Sequence, residues 1–245
     1  MVIQTQGNDQ DMAITLRGVP TVLLPGTGSD DDYVYRAFAG PLHEMGAVVI
    51  AAAPQPGRLV AGYVQALEEA SRDGAIAVGG VSIGAAVAAA WTLAHPKRVV
   101  AVLAALPPWT GEPHAAPAAL SARHTAHQLR TEGLAATTSQ MQASSPAWLA
   151  DELTRSWLSQ WPDLPAAMEE AASYVSPSSA ELERLSVPMG VAAASDDPIH
   201  PLEVALEWVS AAPHAALRTV TLDEFGPDPS VLGAACVAAL TEAGG

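Results

Sequence analysis

The chain has 245 residues, of which 49% are hydrophobic and 15% charged, and its formal net charge at pH 7 is -15. This composition is typical of a compact globular protein and not of a disordered one, and the length allows one large α/β core with an insertion. The negative charge repels phosphate backbones and anionic lipid surfaces, so we expect neither a nucleic-acid partner nor a membrane partner.

Apolar strands and helices alternate through the first 106 residues. Residues 21–24 (TVLL) form a short apolar run that stops at Pro25-Gly26-Thr27-Gly28, which predicts a strand followed by a tight loop. The next predicted elements are a helix over 33–44 interrupted at Gly40-Pro41, a fully buried strand over 47–53, a helix over 59–72, a strand over 75–81, a helix over 83–94 and a strand over 99–106. Continuous apolar strands that alternate with helices predict an α/β fold with a mostly parallel central sheet covered on both faces.

The alternation stops after residue 106 and returns late in the chain. Residues 107–185 contain helical stretches, many Pro and Ser residues and no convincing strand, and we interpret them as a helical cap inserted into the sheet domain. The later elements are a strand over 187–194, a helix over 201–211, a strand over 217–222 and a closing helix over 229–243. The predicted core therefore comprises residues 1–106 and 186–245.

The stretch GGVSIGAA contains the pattern GxSxG, centred on Ser82. Between a strand and a helix this pattern builds a strained turn that lifts the serine oxygen above the sheet, and here a predicted strand precedes Ser82 and an alanine-rich helix follows it. The small residues Gly80, Gly84 and Ala85 allow the helix to approach the strand closely. The context favours a nucleophilic serine over a purely structural turn.

The chain resembles the α/β-hydrolase fold family over nearly its whole length. The likeness is carried by LLPGTG after an early strand, by GVSIGAAVAAAWTLAHPKRV around Ser82, and by AAASDDPIHP after a late strand. The resemblance implies a serine nucleophile, a later acid, a histidine near the C-terminus and an oxyanion hole of two backbone N–H groups, which would be those of Ile83 and Thr27, with Gly26 beside the substrate. A plain glycine-rich turn is the alternative interpretation of this loop.

The acid of the family occurs in a D-P-x-x-P context, which matches Asp197-Pro198-Ile199-His200-Pro201 and favours Asp197 over its neighbour Asp196. The order expected in this fold is serine, acid, histidine, yet no histidine follows the last predicted strand. His200 is the candidate base because it follows the carboxyl end of a sheet strand, where open α/β sheets bind ligands. The alternative for His200 is a structural role at the start of the following helix. Other candidate bases are the cap histidines His114, His124 and His127. Asp223 and Glu224 are further candidates for the orienting acid or for a carboxylate base.

We therefore expect a serine hydrolase of a small to medium carboxylic ester, thioester or lactone, with Trp109 and Trp148 lining an apolar acyl pocket. A non-catalytic or non-hydrolytic protein of the same fold, such as a ligand-binding protein, a scaffold or a cofactor-independent lyase or isomerase, is the alternative. The single cysteine, Cys236, allows no internal disulfide and no cysteine-based zinc site, and we expect no metal and no cofactor. The first residues lack the features of a secretion signal, which predicts a cytoplasmic protein. Homo-oligomerisation stays open.

Overall fold

A computed structural model describes residues 14–245 of the chain. The strands are β1 (Pro20–Leu24), β2 (Val48–Ala51), β3 (Ile76–Val81), β4 (Val99–Ala105), β5 (Met189–Ala194) and β6 (Ala215–Val220). The helices are α1 (Asp31–Glu44), α2 (Leu59–Ala70), α3 (Ile83–Ala94), α4 (Pro117–Ser144), α5 (Ala147–Gln160), α6 (Leu164–Ala172), α7 (Ser179–Leu182), α8 (Leu202–Ala211), α9 (Leu222–Phe225) and α10 (Ser230–Ala243). Our expectation that the first dozen residues lack a secretion signal lies outside the described residues.

The strands form one sheet in the order β2-β1-β3-β4-β5-β6, and every neighbouring pair is parallel. Apolar clusters cover both faces, since α2, α3 and α8 pack on one side and α1 and α10 on the other. The predicted α/β class with a parallel, doubly covered sheet is thus confirmed. Because the strands are parallel, their carboxyl ends lie along one edge, where the loops after β1, β3 and β5 meet.

Some predicted elements differ from the structure in burial, continuity or boundaries. The strand predicted over 47–53 is the shorter edge strand β2, and it is not fully buried, because its side chains alternate between the core and solvent, with Val48 52% exposed. Helix α1 runs without interruption through Pro41, which removes one hydrogen bond to the carbonyl four residues earlier but does not end the helix before Glu44. The strand predicted over 217–222 ends at Val220, because Thr221 and Glu224 form a capping box that starts α9.

Helices α4 to α7 fill the chain between β4 and β5. Helix α4 is broken at Gly133, where φ is 82°. Side chains of α4, α5 and α6 share a separate apolar cluster around Trp157 and Met168. The arrangement agrees with the predicted helical insertion, whose assignment as a distinct cap over 107–185 stays a prediction. Over residues 14–245, none of the helices combines the length and the apolar character needed to cross a bilayer.

Candidate active site

Ser82 lies on a sharp turn between β3 and α3. Its backbone angles are φ 54° and ψ -118°, a left-handed conformation that is strained for a residue with a side chain, and Ser82 N donates a hydrogen bond to Ala105 O at 2.9 Å. The turn is tight because α3 begins directly against β1. A Cβ atom at Gly80 would lie 2.3 Å from Leu24 O, and one at Gly84 only 2.1 Å from the same oxygen. Glycine is required at both positions for the serine to sit where it does.

His200 bridges Ser82 and Asp197. Its Nε2 lies 3.0 Å from Ser82 Oγ, and its Nδ1 lies 2.8 Å from Asp197 Oδ2. Because a carboxylate only accepts hydrogen bonds, Nδ1 carries the ring proton and Nε2 is left with a lone pair facing the serine hydroxyl. The three side chains form a continuous hydrogen-bonded chain in the order Ser82, His200, Asp197.

The loop between β5 and α8 builds the acid and the imidazole as one local unit. Asp197 Oδ1 accepts hydrogen bonds from Ile199 N at 2.7 Å and from His200 N at 3.3 Å, so its side chain closes a turn over the following residues. The same turn folds the ring of His200 back onto Oδ2, and α8 then begins at Leu202, immediately after Pro201. Three residues of separation are enough for this contact.

The carboxyl group of Asp197 is held ionised. Burial acts to raise its pKa, but the hydrogen bond and the charge interaction with His200, together with the backbone N–H groups of Ile199 and His200, outweigh burial, so the pKa of Asp197 is lowered below its ordinary value. A carboxylate that stays negative at neutral pH can stabilise an imidazolium on the neighbouring ring.

The two predicted oxyanion donors flank the serine. Ile83 is the first residue of α3, so its N–H has no acceptor within the helix. The positive end of the helix dipole also lies here, next to Ser82. Gly26 lies against the turn, since a Cβ atom there would be 3.6 Å from Ser82 Cβ, and Thr27 follows it in the cavity wall. The structure thus brings Gly26, Thr27 and Ile83 together around Ser82, and their role as oxyanion donors stays a prediction.

A cavity of about 790 Å³ opens above Ser82. Trp109 and Trp148 both contribute to its wall, and their role in binding an acyl group stays a prediction. Trp109 is 5% exposed and donates from Nε1 to Tyr174 O at 3.2 Å, while Trp148 meets the ring of Phe225 edge to face at 5.5 Å between centroids. Sequence reasoning missed further apolar side chains of the wall, which include Val81, Leu106, Met141, Leu153, Leu222 and Phe225.

The charge of the cavity wall is low and negative. Its charged side chains, within the part of the chain that the structure describes, are the carboxylates Glu152 and Asp197, with no lysine or arginine among them. Glu152 is itself paired with Arg36 and Arg155. This charge disfavours an anionic ligand in the cavity.

The alternative acids do not contact the imidazole. Asp196 Oδ1 accepts a hydrogen bond from Leu222 N at 2.8 Å and so supports the start of α9. Glu224 is engaged in the capping box of the same short helix, and Asp223 is exposed. Helix α9 occupies the position after the last strand, where the family places its histidine, and it contributes Leu222 and Phe225 to the cavity wall instead.

The alternative histidines are all exposed. His114 and His127 lie outside the cavity wall, and His124 contributes to it from α4. His200 is the histidine with a hydrogen bond to Ser82 among the described residues.

Several solved structures superpose on this chain over most of its length and share its fold. MenH from S. aureus superposes with a TM-score of 0.69 at 15% identity, covering 95% of this chain and 97% of that one. A carboxylesterase structure from Nitrososphaera gargenis superposes with a TM-score of 0.66 at 18% identity, covering 84% of this chain and 82% of that one. A thermophilic esterase from Thermogutta terrifontis superposes with a TM-score of 0.62 at 21% identity, covering 90% of this chain and 89% of that one. No protein-family model and no curated protein sequence matches the chain.

Proposed function

We propose that this chain, which has the α/β-hydrolase fold, is a serine hydrolase that cleaves a small to medium neutral carboxylic ester, thioester or lactone. The observation that carries the proposal is the hydrogen-bonded chain from Ser82 Oγ through His200 to Asp197, with separations of 3.0 and 2.8 Å. A serine hydroxyl needs a neighbouring base, and that base needs an orienting group, and both lie within reach here.

The first half-reaction forms an acyl-enzyme. Ser82 Oγ attacks the substrate carbonyl carbon while its proton passes to His200 Nε2, and Asp197 stabilises the resulting imidazolium. The carbonyl oxygen becomes an oxyanion that accepts hydrogen bonds from the N–H groups of Thr27 and Ile83. The bond to the leaving group then breaks, and His200 returns the proton to the departing alcohol, thiol or ring oxygen.

The second half-reaction releases the acid. Water replaces the leaving group, His200 Nε2 takes a proton from it, and the hydroxide oxygen attacks the acyl carbon. When this second tetrahedral species collapses, the bond to Ser82 Oγ breaks and His200 protonates the serine again. The apolar wall with Trp109, Trp148 and Phe225 would hold the acyl chain. The cytoplasmic location stays a prediction from the sequence.

Labelling with a fluorophosphonate tests the nucleophile directly. We expect one phosphonyl adduct on the wild-type protein, detected by intact mass and located on Ser82 by peptide mapping, and none on Ser82→Ala. We expect His200→Ala to lower both the labelling rate and the turnover of p-nitrophenyl butyrate by about 10³-fold or more. The matched control is His127→Ala, an exposed histidine outside the cavity, which should change turnover less than about twofold.

An unlabelled wild type whose ester turnover is unchanged in Ser82→Ala would contradict the proposal. That result would favour the other class of function, a non-catalytic or non-hydrolytic protein of this fold whose residual ester turnover does not depend on Ser82. Labelling that persists at full rate in His200→Ala would retain the nucleophile and reject His200 as its base.

A further inference from the structure

We propose that helix α5 positions the loop that carries one oxyanion donor, so that Ser156 and Gln160 of this helix are positioning residues for the reaction. The loop is formed by residues 26–30, between β1 and α1, and is called the oxyanion loop below. The inference rests on the proposed function, because it assigns to Thr27 N–H the role of holding the oxyanion. The donor's position then depends on the inserted helices and not on the sheet alone.

The oxyanion loop contains a tight turn around the donor. Ser29 N donates to Gly26 O at 3.0 Å, and Gly28 has φ 73°, as the third residue of a type II turn does. Thr27 is the second residue of this turn. The direction of its N–H therefore depends on the peptide planes that the turn holds in place.

Two buried side chains of α5 hold the carbonyl groups that follow Thr27. Ser156 Oγ donates to Gly28 O at 2.5 Å, and Gln160 Nε2 donates to Ser29 O at 2.9 Å. Ser156 is 2% exposed and Gln160 5% exposed, so neither bond has water as a ready substitute. These bonds hold two consecutive peptide groups of the oxyanion loop, those that begin at the carbonyls of Gly28 and Ser29.

A charged contact secures the end of the loop. Arg155 of α5 donates to both oxygens of the Asp30 carboxylate, at 2.5 and 3.2 Å, while the same carboxylate caps α1 by accepting from Tyr33 N at 3.0 Å. Asp30 is 6% exposed and lies between the two helices. The last residue of the loop is thus joined to α1 and to α5 at once.

Close packing leaves the loop little room to move. A Cβ atom on Gly28 would lie 2.8 Å from Trp157 Nε1 and 3.1 Å from the Met168 methyl carbon. Residues 155, 156, 157 and 160 therefore place one face of α5 on three consecutive loop residues, 28 to 30. An oxyanion donor is effective when it is held in position before the charge develops, and α5 supplies that support.

The expected signature is a loss in kcat with little change in KM, because the donor acts on the oxyanion and not on the bound ester. Removing an oxyanion donor outright costs about 10²-fold to 10³-fold, and loosening one should cost less. For p-nitrophenyl butyrate we expect Ser156→Ala and the near-isosteric Gln160→Met each to lower kcat roughly tenfold, with KM within about twofold of wild type. The affinity for a trifluoromethyl ketone, which forms a tetrahedral oxyanion on the serine, should fall in parallel with kcat.

Ser159→Ala is the matched control. Ser159 lies on the same helix and is exposed, and its hydroxyl donates to Ser156 O of α5 itself at 2.8 Å. We expect this variant to retain wild-type kcat and ketone affinity. Thermal unfolding of all variants reports whether a loss of activity accompanies a loss of fold, and Gln160→Met retains the volume of the replaced side chain.

Three results would overturn the inference. The first is wild-type kcat in both Ser156→Ala and Gln160→Met. The second is an equal loss in Ser159→Ala, and the third is a rise in KM that accounts for the whole effect while ketone affinity is retained. If the wild-type protein is labelled on Ser82 and turns over the ester, any of these results rejects only the role of α5 and leaves the proposed function in place. An unlabelled, inactive wild type rejects the proposed function and this inference with it.

Discussion

Replacing Asp197 by asparagine should abolish most of the activity through the tautomer of His200. Asp197 Oδ1 accepts the N–H groups of Ile199 and His200, at 2.7 and 3.3 Å, whereas Oδ2 accepts from His200 Nδ1 at 2.8 Å. Asparagine has a single oxygen, and the two backbone donors will retain it. Its amide N–H group then faces Nδ1, which must give up its proton to accept, so that Nε2 carries the proton instead.

A protonated Nε2 donates to Ser82 and cannot take the serine proton. For a triad of this geometry the wrong tautomer costs about 10⁴-fold in kcat, which corresponds to roughly 5.4 kcal/mol of transition-state stabilisation. The assay is kcat for p-nitrophenyl butyrate at pH 7 to 8, with titration by a fluorophosphonate to count active sites. Asp196→Asn is the neighbouring control, because Asp196 contacts Leu222 N and not the imidazole, and it should change kcat less than about threefold. A loss below tenfold in Asp197→Asn, or an equal loss in Asp196→Asn, would refute the reasoning.

Three further predictions concern stability, pH and substrate charge. Gly84→Ala should lower the free energy of unfolding by about 3 kcal/mol in denaturant titrations, because its Cβ would lie 2.1 Å from a backbone oxygen, whereas Gly40→Ala, in a helix with open space around it, should raise it by about 0.5–1 kcal/mol. Because the pKa of Asp197 is lowered on folding, its stabilisation is complete above the unfolded value of about 3.9 and is lost as the pH falls through the lower folded pKa. The difference in unfolding free energy between wild type and Asp197→Asn should therefore shrink as the pH falls below about 4. A difference that grows over this acid range would contradict the assigned shift. Because the charged side chains of the cavity wall are carboxylates in the part described, the kcat/KM for a neutral butyrate ester should exceed that for a succinate half-ester by about tenfold or more, and equal values would contradict the assigned charge preference.

Much of the sheet could be predicted because its signals are local. Buried parallel strands are continuous apolar runs; β3, β4 and β5 lie within the predicted segments, and β1 begins one residue before its predicted segment. The wrong predictions concern features that depend on a neighbouring strand or on a helix-capping residue. Strand β2 is half exposed because it lies at the sheet edge, and α9 starts at Leu222 because Glu224 caps Thr221. Hydropathy alone does not report which strand lies at an edge.

The candidate site likewise combines a contact that is local in the sequence with one that is not. The contact between Asp197 and His200 spans three residues, and the motif that predicted the acid lies in the same short stretch. The 3.0 Å contact between His200 and Ser82 joins residues 118 positions apart. It exists because β4 alone separates β3 from β5 in the sheet, an order that no local pattern specifies. The absence of a histidine after the last strand left the choice of base open in the sequence.

The chain alone was enough to predict the alternation of strands and helices, the strained turn at Ser82 and a short loop carrying a candidate acid and a candidate base. Each of these depends on residues close together in the chain, whose periodicity and turn chemistry can be read directly. The tertiary structure decided which imidazole reaches the serine, which side chains form the cavity, and that Ser156 of α5 holds Gly28, 128 positions away. Such contacts depend on strand order and on the packing of the inserted helices, and these follow from the whole chain at once.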